Sequence, residues 1–304
     1  MKKLSLLVLL VSILSTDFAS AQQDPQYTQY MYNMNVVNPA YAGNKETLSL
    51  TALYRKQWSG FEGAPETITF SGHSPINDKM GLGLSVIKDE NGPVSETNAY
   101  IDYSYTLQLS DGLKIALGVK AGATFHDVGL TELELQDPDD PFFSENINNT
   151  YPNVGAGAFL YSDNFYVGLS VPNLLNSVHL DTSDLKFGSE TNHFFATAGY
   201  VFQVSDNLKL KPSVMVKSAF NTPISYDANL NALLYDKFEI GGSYRLDDSF
   251  SGLVGFQATE YLRIGYAYDR VTSDIKTIAN ASHEVILTFD LIFNKRALRS
   301  PRYF

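Results

Sequence analysis

The sequence predicts an all-β protein: a single-chain transmembrane outer-membrane β-barrel of about 14 antiparallel strands, preceded by a short amphipathic helix. Three observations predict it. The chain opens with an export leader. Apolar residues then recur with a period of two over many segments. A tight Ser-Asp-x turn recurs between them, always on the same side.

The composition narrows the alternatives. The chain has 304 residues, a formal net charge of −11, 44% hydrophobic residues and no cysteine. Absence of cysteine excludes a disulfide scaffold, a thiolate metal site and a cysteine nucleophile. The acidic balance argues against a nucleic-acid partner, since such affinity comes largely from Lys and Arg on phosphates.

Residues 1–21 read as a signal peptide. Lys2 and Lys3 precede an apolar stretch from Leu4 to Leu14, and Ala19-Ser20-Ala21 offers a small-x-small cleavage site. The stretch is shorter than the roughly 20 residues a membrane helix needs.

Residues 22–44 form an N-terminal segment. Asp24-Pro25 is a helix-start signal. Tyr27, Tyr30, Met31 and Met34 fall at i, i+3, i+4 and i+7, with Gln26, Gln29 and Asn33 opposite. Asn38-Pro39-Ala40-Tyr41-Ala42-Gly43 then turns the chain into the first strand. Two roles fit this segment: a plug that covers or enters the barrel, or a docking element for a periplasmic partner. The candidate partner-binding residues are Tyr27, Tyr30, Met31, Met34, Asn38, Pro39 and Tyr41.

Residues 45–293 read as the barrel. From Leu113 to Phe125 the odd positions are apolar, while Lys114, Gly118, Lys120 and Thr124 stand on the other face. The same alternation places strands near 46–58, 66–75, 79–88, 95–109, 112–125, 151–161, 164–170, 192–204, 207–218, 224–235, 237–246, 249–258, 261–270 and 282–293. Ser110-Asp111-Gly112, Ser162-Asp163-Asn164, Ser205-Asp206-Asn207 and Tyr235-Asp236-Lys237 are copies of one turn, and Ala258-Thr259-Glu260 is a looser copy. All fall on the side of the mature N-terminus. Longer connections, near 59–65, 89–96, 126–150, 171–190, 219–223, 246–250 and 271–282, fall on the other. Short periplasmic turns, longer outer loops and an even strand count describe an outer-membrane barrel. Lipid demands closure, because an open sheet edge leaves backbone groups unpaired. Residues 294–304 read as a C-terminal tail.

No catalytic, metal or cofactor motif is found, so no enzyme activity and no cofactor are expected. His73, His126, His179, His193 and His283 stand without ligand spacing. Gly81-Leu82-Gly83 and Gly155-Ala156-Gly157 read as barrel-wall glycines. Asp137, Asp139 and Asp140 read as part of a solvated acidic loop.

The run from Gln22 to Gly43, QQDPQYTQYMYNMNVVNPAYAG, resembles the opening of the PorP/SprF family, outer-membrane proteins of the type IX secretion system and of gliding motility. Tyr54-Arg55-Lys56-Gln57-Trp58 continues the match, and Ser300-Pro301-Arg302-Tyr303-Phe304 is similar to the family's terminus. The resemblance implies a barrel that accompanies protein secretion. The implied partners are a cargo with a C-terminal sorting domain, such as a surface adhesin, other periplasmic and outer-membrane components of the system, and outer-membrane lipid.

Size bears on the mechanism. Fourteen strands at about 4.8 Å spacing and a tilt near 40° give a backbone diameter of about 28 Å, and side chains leave a bore of roughly 10–15 Å. A folded 100-residue domain is more than about 30 Å across. The expected role is therefore docking or retention of cargo at the cell surface, with loops 126–150 and 171–190 facing cargo and residues 22–44 facing the periplasm. A porin or small-molecule transporter is the alternative, with Lys114, Lys120, Lys209, Lys211 and Lys217 lining the lumen.

Overall fold

In the computed structural model fourteen antiparallel strands close into one barrel. The structure describes residues 26–45, 47–133, 143–175, 178–182, 185–189, 192–219, 224–277 and 281–291. The leader, the Asp24-Pro25 signal, the acidic run at Asp137–Asp140 and the C-terminal tail lie outside them.

The strands are β1 (Leu48–Lys56), β2 (Glu66–Pro75), β3 (Met80–Asn91), β4 (Val94–Ser110), β5 (Leu113–Val128), β6 (Ile147–Tyr161) and β7 (Phe165–Val171). They continue as β8 (His193–Tyr200, resumed after Val201 as Phe202–Ser205), β9 (Leu208–Ala219) and β10 (Ser225–Leu234). The last four are β11 (Phe238–Arg245), β12 (Ser249–Gln257), β13 (Leu262–Val271) and β14 (Ala281–Leu291). Each pairs with its sequence neighbours, and β1 pairs β14 to seal the cylinder, with Arg55 opposite Glu284.

All fourteen strands expected from the alternation are present. The connections differ in two places. β3 and β4 meet across Gly92-Pro93 alone, and β6 begins at Ile147. Asp89, Glu90 and Asn91 extend β3 beyond its expected end without an apolar face, so alternation of hydrophobicity does not mark them. Within the outer connection after β7, Val178–Thr182 and Leu185–Ser189 form a separate hairpin.

The faces are sorted by solvent. Outward positions carry aromatic residues at two levels. Tyr54, Phe125, Phe194, Tyr226, Tyr244, Phe250 and Tyr268 are exposed toward the outer ends of the strands. Tyr105, Tyr200, Phe202, Phe238, Phe256, Tyr261 and Phe289 are exposed toward the ends with tight turns. Leu84, Ile101, Leu117, Val119, Leu230 and Val254 are exposed between them. Two aromatic girdles around an aliphatic band are the surface of a barrel that spans a membrane. Inward positions are polar: Thr69, Ser85, Asp102, Lys120, Thr124, Asn153, Asn231, Asp269 and Glu284 are all buried. The turns at 76–79, 111–112, 162–164, 206–207, 235–237 and 258–261 define the periplasmic end.

Candidate functional site

The lumen holds residues 26–44. The expected amphipathic helix is replaced by three separate turns: a 3₁₀ turn at Tyr30–Tyr32, one α turn at Met34–Val37 and a 3₁₀ turn at Pro39–Tyr41. The reason is that the segment has no solvent face. Gln29, Asn33, Asn35 and Asn38 are as buried as Tyr30, Met31, Met34 and Ala40. A regular helix can present polar groups to one side only, whereas here barrel wall lies all around.

The segment descends from the outer end to the periplasmic end. At the outer end Arg245 Nη1 donates to Gln26 Oε1 at 2.8 Å and Nη2 to the Tyr27 carbonyl at 3.3 Å. Arg245 is itself held by Asp227, with Nε to Oδ1 at 2.7 Å. Next, Glu284 accepts the backbone N–H groups of Thr28 and Gln29 at 2.9 and 2.8 Å. Arg55 Nη1 reaches Asp269 at 2.7 Å, Glu284 at 3.1 Å and Thr28 Oγ1 at 3.0 Å. Arg55, Asp269 and Glu284 are all but inaccessible to solvent, so their charges are compensated chiefly by one another, by neighbouring wall side chains and by the segment.

Midway, Lys120 Nζ donates to the Val36 carbonyl at 2.9 Å and lies 3.6 Å from Asp102, which accepts from Asn35 Nδ2 at 3.1 Å. Ser170 Oγ donates to the Val37 carbonyl at 2.9 Å. The Tyr32 ring lies 3.6 Å from the Arg263 guanidinium, with Lys211 4.9 Å from its centre. Asn38 caps the last turn by accepting from Ala40 N–H at 3.0 Å, and its Nδ2 donates to the Ala158 carbonyl at 3.1 Å. At the periplasmic end Ser104 Oγ donates to the Ala42 carbonyl at 2.6 Å, and Lys45 pairs with Asp290 at 3.1 Å.

Glycines on the inner wall make this fit possible. A Cβ at Gly81 would lie 2.2 Å from the Ala42 carbonyl oxygen, at Gly118 2.2 Å from the Ala40 nitrogen, and at Gly157 2.1 Å from Asn38 Oδ1. The two G-x-G pairs of the sequence are thus wall glycines, as expected, and three of their four members seat or face residues 35–43.

All seven candidate partner-binding residues, Tyr27, Tyr30, Met31, Met34, Asn38, Pro39 and Tyr41, are buried inside the barrel. Among the described residues none of them is presented to the periplasm. Five lie in one apolar cluster with Phe159, Tyr161, Tyr166 and Met215 of the wall. Arg55, Asp227, Arg245, Asp269 and Glu284 were not among the candidates. Their signal was a charge within a strand on the face opposite the apolar residues, which places it in the lumen and requires a partner there.

Above the segment, toward the outside, lies a small vestibule of about 70 Å³. Its floor is Tyr27, Tyr30, Val36 and Val37. Its wall includes Tyr100, Phe195, Met215 and Lys217, with Pro172 and Asn173 at the rim. Among the described residues no group of three His, Asp or Glu side chains could hold a metal ion.

The family model for the type IX secretion system membrane protein PorP/SprF matches residues 19–289. The chain belongs to the PorP/SprF family. As a PorP/SprF protein it is an outer-membrane barrel of type IX secretion, and membership implies association with other components of that system. No curated protein matches the chain. Among solved structures, the CymD monoaromatic hydrocarbon channel is similar to it with a TM-score of 0.53 at 11% identity, over 87% of this chain and 93% of that one. The Ralstonia pickettii toluene transporter TbuX is similar with a TM-score of 0.51 at 10% identity, over 86% and 93%. At such identity the likeness concerns the fold alone. Nothing in it bears on the lumen of this PorP/SprF barrel.

Proposed function

We propose that this barrel docks or retains a secreted cargo protein at its outer mouth, without conducting it and without catalysing a reaction on it. The reading includes export by the N-terminal leader, a cargo bearing a C-terminal sorting domain, a role in adhesin display and gliding, and contacts with periplasmic components through the tight turns. One observation carries it: residues 26–44 occupy the lumen and are bonded to the wall from the outer end to the periplasmic end. A pore so filled gives cargo no route, while the vestibule and the connections 129–146 and 172–192 offer it a surface.

The test replaces 129–146 by a four-residue turn, which leaves β5 and β6 whole. Cargo displayed on intact cells is expected to fall at least about five-fold, with the balance found in the medium. Undiminished display by a correctly assembled variant sinks the proposal.

The aromatic floor of the vestibule favours one second reading, a small-molecule transporter. A stable open pore in a planar bilayer, made by the unmodified protein, supports that reading against the first.

A further inference from the structure

Among the described residues, the outer rim pairs several of its cations with carboxylates. Lys56 is paired with Glu66, Lys88 with Glu90 at 2.5 Å, Arg55 with Asp269 and Glu284, and Arg245 with Asp227. Arg270 and Lys276 are exposed, and among the described residues neither side chain has a carboxylate or hydrogen-bond partner. In a chain of net charge −11, two unpaired cations side by side stand out.

They border one hollow together with Tyr268, Val271 and Thr272. Its position identifies the occupant. Tyr268 and Arg270 alternate with the buried Asp269 and Val271, so both point away from the lumen, toward the membrane. Tyr268 belongs to the outer aromatic girdle, and Arg270 follows it by two residues toward the outside. Its cross-strand partner is Phe250, which stacks on Tyr244 with ring centres 4.5 Å apart. Aromatic girdles sit at the level of lipid headgroups. Of the acids near it, Asp248, whose carbonyl accepts from Thr272 N–H at 2.8 Å, turns its carboxylate to Arg245 and Ser249, and the side chain of Asp274 lies outside the described residues. The hollow lies where the membrane-facing Tyr268 and Arg270 meet the first residues of the outer connection, Thr272 and Lys276, which is the level of lipid headgroups.

We propose that this hollow binds the phosphate of an anionic glycolipid in the outer leaflet. Arg270 matches two phosphate oxygens with its planar fork, as guanidinium groups do. Lys276 supplies the second charge from the far side, Thr272 offers a hydroxyl, and Tyr268 lies against the first sugar or the acyl root. The site does not depend on what occupies the vestibule, so it stands or falls apart from the proposal above.

The test uses the full mature chain, folded in detergent, and lipid A bearing one phosphate, compared with the same lipid after dephosphorylation. Binding is read by native mass spectrometry, and folding by the heat-dependent gel migration of a closed barrel. The unmodified protein is expected to prefer the phosphorylated lipid at least about five-fold, and R270Q/K276Q to lose that preference while remaining folded. R270K/K276R, which keeps both charges and loses the fork at 270, is expected to retain part of it. Equal binding of the two lipids overturns the proposal, as does a preference that survives R270Q/K276Q. Inorganic phosphate alone is expected to leave the preference intact at millimolar concentration; full competition by it would make this a site for free anions and not for lipid.

Discussion

The two faces of a single strand make the sharpest comparison in this molecule. On β5, Leu117 and Val119 are 52% and 57% exposed, while Lys120 between the same neighbours is 2% exposed. A water-soluble sheet sorts these residue types the other way round. The difference teaches that alternation identifies a two-faced strand but not which face is the interior. Here lipid takes the apolar face, and the polar face finds its partners in a second piece of the same chain. The two faces meet different surroundings: acyl chains lie against the apolar face, and residues 26–44 lie against the polar one.

Three substitutions or insertions break or sharpen that comparison. Arg55→Met has the largest expected effect, because it strands Asp269 and Glu284 without a cation. Removing one partner from a buried ion cluster costs about 3–5 kcal/mol. Urea unfolding in lipid vesicles measures the loss, and R55M/D269N/E284Q is expected to recover most of it. A loss below about 1 kcal/mol would mean that water reaches the cluster. Next comes Val119→Arg on the opposite face, expected to cost about 2–4 kcal/mol near the middle of the membrane by the same measurement. If Val119→Arg is harmless, Val119 does not face lipid. The smallest energetic effect belongs to an epitope inserted directly before Gln26. It is expected to be recognised by antibody on intact cells, whereas an epitope in the turn at 111–112 is recognised only after the outer membrane is permeabilised. The reverse pattern would invert the assignment of the two ends.

Much of this was legible in the sequence. Leu113 to Phe125 alternates over its whole length, and the Ser-Asp-x turns mark where the chain reverses, so strand number and closure followed from local pattern. The extensions of β3 and β6 past their expected ends were not legible, because Asp89–Asn91 and Asn148–Asn149 have no apolar face to betray them. The N-terminal segment was half legible. Tyr27, Tyr30, Met31 and Met34 announced an apolar cluster, yet their helical spacing implied a wet opposite face. The counter-signal stood elsewhere: Gly81, Gly118 and Gly157 on the inner wall leave room for a backbone. The direction in which the segment crosses the lumen is set by Arg245, Arg55 and Asp290, which come from three distant parts of the chain, and no local pattern carries that.

The seam of the barrel adds a consequence for its biogenesis. Arg55 on β1 and Glu284 on β14 are register partners across the junction of the first and last strands, and both grip Thr28. The final zipper of the cylinder and the anchoring of its stopper therefore share the same side chains. A molecule that closed empty would leave Glu284 without the Thr28 and Gln29 N–H groups, and Arg55 without the Thr28 hydroxyl, at this join.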